Sequence, residues 1–238
     1  MIDVLNGVAV HATRGERKRY LPLRSVLCKS ADPLDVALVF ESFGFDNLYL
    51  ADLDAILGKL ADFALYQQIK TRTNLDFMVD AGITDITKAQ KVLEKGASKI
   101  VIGTETLTNL SFVDQAVKSF GEDCVVVSID LKDERVTSVS ESIRSMNVVS
   151  LVERLERMGV EQIIILDLDR VGTECGVNLK VVKRVLKETG VKVLVGGGIR
   201  GIKDLKELRD FGVYGSLIAT ILHKGKIKVE ELKSAGVL

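Results

Sequence analysis

The chain has 238 residues, of which 47% are apolar and 28% charged, enough to fill a large core in an ordinary globular protein. Lys plus Arg and Asp plus Glu balance at 33 each, and only 5% of residues are aromatic with no Trp, so neither charge nor stacking surface points to nucleic acid or an anionic membrane. Cys28, Cys124 and Cys175 lie far apart with no CxxC, against a zinc site or disulfide framework; with no leader and no apolar run of about 18 residues, a cytoplasmic location is expected.

Short β-branched runs then alternate with amphipathic helical patterns from end to end. Strands are expected at 2–10, 47–51, 75–79, 99–102, 124–129, 162–166, 191–195 and 216–218, with helices near 33–42, 59–70, 86–95, 111–119, 147–158, 178–189, 202–211 and 228–234. Asp32 suits the cap of the first helix and Pro33 its first turn. Most strands are continuous apolar runs, as in a parallel sheet buried on both faces. Eight strand–helix units in this length predict an α/β fold, a (β/α)8 TIM barrel formed by residues 1–238 as one domain; a doubly wound open sheet is the alternative. The connections 11–31 and 131–146 are long, and long loops after strands belong to the barrel face where catalysis sits. The first carries Arg14, Arg17, Lys18, Arg19 and Arg24, which suit a solvated loop or a lid for an anionic substrate.

The chain also repeats itself. Residues 79–104 align without a gap with 195–220, and Val79, Gly82, Ile83, Ile86, Gly96, Ile102 and Thr104 have identical partners. "GFDNLYLADLD" (44–54) matches "GVEQIIILDLD" (159–169), and "MID" (1–3) matches "SID" (128–130). Two half-barrels of four units each are implied.

Asp3 and Asp130 end the apolar parts of strands one and five, on opposite sides of the expected barrel mouth. Two carboxyls in different surroundings can divide acid and base work; the plainer alternative is a pair of strand-end residues bonded to backbone amides. In "VGGGIRGIKDL" (195–205), Gly196, Gly197 and Gly198 let backbone amides approach a ligand, and Ala219 and Thr220 after strand eight would complete a phosphate cradle. In the matching "VDAGIT" (79–84), Asp80 stands opposite Gly196, so the second cradle is expected to hold a phosphate firmly and the first a different or weaker group. Asp52, Asp54, Asp167 and Asp169 serve as loop caps or substrate contacts; without a neighbouring His they do not suggest a metal. His11 and His223 occur singly, and surface or supporting roles are expected of both.

Taken together, "IDVLNGVAV" (2–10), "LADLDAI" (50–56), "AGITDITKAQKVLEKGASKIVIGT" (81–104), "SID" (128–130), "DLDRVGTECGVNL" (167–179), "VGGGIRGIKDLKEL" (195–208) and "GSLIATILHKGKI" (215–227) resemble the histidine-biosynthesis barrel family, the isomerase and its sister cyclase. The resemblance implies an Amadori-type rearrangement of a phosphorylated aminoaldose to an aminoketose without cofactor or metal. Carried over, it makes Asp3 the acid that opens the furanose ring and Asp130 the base that takes the C2 proton. It puts phosphate cradles at Ala81–Gly82 with Gly103–Thr104 and at Gly196–Gly198 with Ala219–Thr220. Arg14, Asp52, Asp167 and Asp169 become possible substrate contacts. The expected ligand is a small phosphorylated molecule and the expected state a monomer or small homo-oligomer; a glutaminase partner belongs only to a cyclase. The alternatives are a diverged paralogue with another phosphorylated substrate, the cyclase, or a barrel that binds a phosphorylated ligand without catalysis. Three places depart from the family pattern. Arg14-Gly15-Glu16 replaces Gln-Gly-Asp, Leu166 stands at a catalytic Thr, and Val171-Gly172-Thr173 replaces Asp-Gly-Thr. Only Met1 and Ile2 precede Asp3, so either strand one is short or the natural start lies upstream.

Overall fold

A computed structural model describes residues 1–238. Its strands are β1 (Ile2–Leu5), β2 (Val8–His11), β3 (Leu21–Pro22), β4 (Asn47–Asp52), β5 (Asp76–Asp80), β6 (Lys99–Gly103), β7 (Val125–Lys132), β8 (Arg135–Val136), β9 (Gln162–Asp167), β10 (Lys192–Gly196) and β11 (Gly215–Leu217). Eight of them, β1, β4, β5, β6, β7, β9, β10 and β11, pair in that order as parallel neighbours. The Met1 amine donates to the Ile218 carbonyl at 2.9 Å, which brings the two ends of this sheet together. The fold is a (β/α)8 barrel.

Strand alternation sorts the apolar residues into two layers. Tyr49, Ala51, Met78, Val101, Val126, Ile164 and Leu194 fill the barrel interior. A larger cluster of 56 buried residues lies between the sheet and the surrounding helices. Two residues beyond Met78, Val101, Ile164 and Leu194, the inner face therefore carries Asp80, Gly103, Leu166 and Gly196; Ser128 and Asp130 continue the inner row of Val126. The apolar filling stops there and the polar mouth begins.

Six of the eight expected strands fall within two residues of their expected ends, and β7 runs three residues past its expected end to Lys132. The run 2–10 folds instead as a hairpin, β1 antiparallel to β2. Asn6 and Gly7 form its turn at φ +53° and +74°, the left-handed pair that an Asn-Gly step favours. The 131–146 connection holds a second small hairpin, β7 with β8, and a short helix at Glu141–Arg144. Asp32 caps the first helix, Pro33–Ser42, by accepting the Leu34 amide at 2.8 Å. Short helices at Leu53–Ile56 and Thr220–His223 have no periodic signal because one turn is too short to show one. No helix is long and apolar enough to cross a membrane.

Candidate active site

Three aspartates converge on the inner face of the mouth. Asp3 on β1 is level with Ala51, which is level with Asp80, so the two carboxylates sit two strands apart, about 10 Å along the wall. Asp80 and Asp130 flank Gly103. Their Oδ2 atoms stand 3.1 and 3.4 Å from the point where a Cβ on Gly103 would be, so any side chain there would be driven between the carboxyls. Asp80 and Asp130 are 6% and 5% exposed. Burial raises Asp3 and Asp80 to about 6. Asp130 is raised further, to about 8, by burial and by the charges of Asp80 and Glu105. Asp130 also accepts from the Ser128 hydroxyl at 3.0 Å, and its own amide donates to Thr104 Oγ1 at 3.0 Å.

One arginine from the basic loop reaches this group. Arg17 forms a two-pronged ion pair with Glu105, one bond at 2.9 Å, which links the loop after β2 to the loop after β6 across the mouth. Its charge favours the ionised forms of Asp3 and Asp80. Arg14, singled out from sequence, is instead exposed; its amide donates to the Val171 carbonyl at 3.0 Å. Sequence reasoning missed Glu105 altogether and placed Asp80 in a phosphate turn. The available signal was the position of Asp80 two residues beyond inward-facing Met78.

The two repeated turns differ in what their amides do. Gly82 and Gly198, partners in the repeat, both have positive φ, +61° and +84°. In the first half, the Gly82 amide donates to Asp80 Oδ1 at 3.0 Å, the Thr104 amide to the Ser128 carbonyl at 2.8 Å, and the Glu105 amide to Asp130 Oδ2 at 3.4 Å. In the second half, the matching amides of Gly198, Thr220 and Ile221 donate to no acceptor within the chain, nor do those of Gly197 and Ala219. Gly198 is obligatory here, because a Cβ would lie 2.2 Å from the Gly176 carbonyl oxygen. A cleft joins Gly197, Gly198, Ala219 and Thr220 to Asp3. Gly196 faces the barrel between Leu166 and Leu217. Of the expected first cradle, Thr104 is fully buried with its hydroxyl and amide both used in the wall, and Gly103 makes room for carboxyls.

The remaining acidic residues are tied into the scaffold. Asp52 accepts from the Ala55 and Asp62 amides at 3.0 and 2.9 Å and from the Tyr66 hydroxyl at 2.5 Å. Asp54 pairs with Lys59 at 2.7 Å. Asp167 pairs with Arg170 at 3.0 Å, and Asp169 accepts the Asp133 amide at 2.6 Å. No three His, Cys, Asp or Glu side chains come together as a metal site. His223 is buried against Phe40 and shares a 2.9 Å hydrogen bond with Ser25; burial lowers it to about 4, so it stays neutral. Leu166 is level with Asp130 and faces the same interior, an apolar contact where a hydroxyl was the family pattern.

Relatives share this framework over nearly its full length. An uncharacterized protein of Methanocaldococcus jannaschii is 35% identical over 235 residues, 98% of this chain and 95% of that protein. A 1-(5-phosphoribosyl)-5-((5-phosphoribosylamino)methylideneamino)imidazole-4-carboxamide isomerase of Bacillus cereus is 30% identical over 97% of this chain and 95% of its own. An isomerase of the same name from Clostridium botulinum is 28% identical over 97% and 93%. The family described as histidine biosynthesis protein matches residues 1–228. With the barrel, the paired half-repeats and these matches in agreement, the chain belongs to the histidine-biosynthesis protein family.

Proposed function

We propose that the protein is an aldose–ketose isomerase that rearranges a phosphorylated aminoaldose to an aminoketose. Asp130 is the acid and Asp3 the base, the reverse of the assignment carried over from the family resemblance. The observation that carries this reading is the unequal surroundings of the two carboxyls. Asp130 faces Asp80 and Glu105 and holds its proton up to about 8, whereas Asp3, raised only to about 6, is ionised at neutral pH. An acid must hold a proton at working pH and a base must lack one.

Asp130 donates its proton to the ring oxygen, the C1–O bond breaks, and the nitrogen lone pair forms the C1=N bond of a Schiff base. Asp3 then removes the C2 proton. The C2–H electrons form a C1=C2 bond while the C1=N pair returns to nitrogen. The enol loses its hydroxyl proton as C1 gains one, which gives the ketose. The sequence is redox-neutral within the substrate and consumes no co-reactant. A phosphate of the substrate is held by the free amides of Gly197, Gly198, Ala219 and Thr220, in the cleft that contains Asp3. The Asp167 backbone lies beside Gly197, and the Arg14 amide bonds Val171 of the cleft wall at 3.0 Å.

The test is turnover, with deuterium exchange at C2, on a panel of mono- and bisphosphorylated ribosylamines. The wild type converts at least one member; Asp3→Asn and Asp130→Asn each lose at least about 100-fold in turnover. Asp3→Asn also loses the exchange. Equal rates in the wild type and both variants on every active member would remove the assignment.

A further inference from the structure

The mouth has one usable anion cradle, and the place of the other is taken by a carboxylate. Asp80 Oδ1 occupies the Gly82 amide, the counterpart of the free Gly198 amide. Its Oδ2 accepts no hydrogen bond from the chain although the residue is 94% buried, and it points at Gly103 beside Asp130 Oδ2. Around that point stand Asp3, Asp80, Asp130 and Glu105; of the nearby cations, Arg17 is already engaged by Glu105 and Lys88 by the Gly82 carbonyl at 3.2 Å. A second phosphate brought there would meet several carboxylates, with the amides of Gly82, Thr104 and Glu105 already engaged. Like charges so placed repel one another. The isomerases of Bacillus cereus and Clostridium botulinum carry two phosphoribosyl groups in the name of their substrate. This mouth is built for something else at one end.

We propose that Asp80 sets substrate choice, so that the barrel takes a monophosphate whose opposite end is an amine or similar cationic N–H group, received by the open Oδ2 of Asp80. The proposal rests on the reading of the Gly197–Thr220 turn as the phosphate site. An ammonium or amidinium group suits the site because it brings donors to the open Oδ2 and offsets the local negative charge. It also adds donors at a place where the amides of Gly82, Thr104 and Glu105 are already occupied.

Calorimetric titration separates the possibilities, with aminoalkyl phosphates of three to six carbons set against alkanediyl bisphosphates of matching length, and inorganic phosphate as reference. The wild type is expected to bind the best aminoalkyl phosphate at least about tenfold more tightly than the matching bisphosphate. Asp80→Gly, which recreates the second-half arrangement, is expected to reverse that order. Asp80→Asn keeps an acceptor for the Gly82 amide and is the control if the glycine variant fails to fold. It should lose the preference for the amine without gaining affinity for the bisphosphate. A bisphosphate bound as tightly as the aminoalkyl phosphate by the wild type overturns the proposal and leaves the isomerase reading intact. Failure of the wild type to bind inorganic phosphate or any of these ligands overturns the phosphate site and this proposal with it.

Discussion

The two half-barrels set the same backbone turn to opposite uses. Gly82 and Gly198 share a left-handed conformation, and Thr104 and Thr220 follow strands at equivalent places. Yet the first turn is closed on itself by Asp80, the Ser128 carbonyl and Asp130, while the second leaves its amides free beside Asp3. The lesson is that a glycine pattern specifies a turn, whereas anion binding depends on whether the amides of that turn still have a proton to donate. One inward side chain, Asp80 opposite Gly196, makes much of the difference. It also adds to the field that raises Asp130, so the occupied amide of Gly82 and the raised Asp130 share one cause.

The comparison can be broken at its strongest point first. Loss of at least about 100-fold in turnover is expected for Asp3→Asn and for Asp130→Asn, one from each half, measured by steady-state kinetics. Unfolding by urea at several pH values gives the next largest effect. Asp130 has a folded value of about 8 against an ordinary 3.8, so the folded state binds the proton more tightly. The stability it contributes is therefore fully present below about pH 4 and lost as pH rises through 8. Asp130→Asn should be more stable than the wild type by on the order of 2 kcal/mol near pH 8, with the gain vanishing towards pH 4. Transplanting the carboxylate is a sharper probe of the halves. Gly196→Asp, checked for folding by its melting curve, should weaken inorganic phosphate binding at least about tenfold by placing an acceptor and a charge over the Gly198 amide. The smallest effect is a change of shape: kcat/KM should rise through an apparent value near 6 as Asp3 ionises and fall above 8 as Asp130 loses its proton. In Asp80→Asn the upper limb should move to lower pH, because one of the charges that raises Asp130 is gone.

Much of the framework was legible in the sequence. The parallel strands, the helix capped by Asp32, the half-repeat, Asp3 and Asp130, and the Gly196–Gly198 turn all lie in local patterns that periodicity and alignment reveal. The hairpin at Asn6–Gly7 was hidden inside a continuous apolar run, although the Asn-Gly pair is its signal. The chemistry of the mouth was less legible because it depends on which loops meet. Nothing local tells that Arg17, among six basic residues in its loop, pairs with Glu105 across the barrel. The surroundings of Asp3 and Asp130, which underlie the proposed division of acid and base work, come from charges on other strands and loops, Asp80 and Glu105 for Asp130 and Arg17 for Asp3. Asp52 reads from sequence as a possible ligand contact, but three donors from its own neighbourhood hold it as a cap.

The comparison of the two halves is tested most directly by following backbone amide signals by nuclear magnetic resonance while inorganic phosphate is added. The account predicts saturable shifts at Gly198 and Thr220, with Gly82 and Thr104 unmoved at the same concentrations. Shifts of equal size and equal affinity at Gly82 and Thr104 would contradict it.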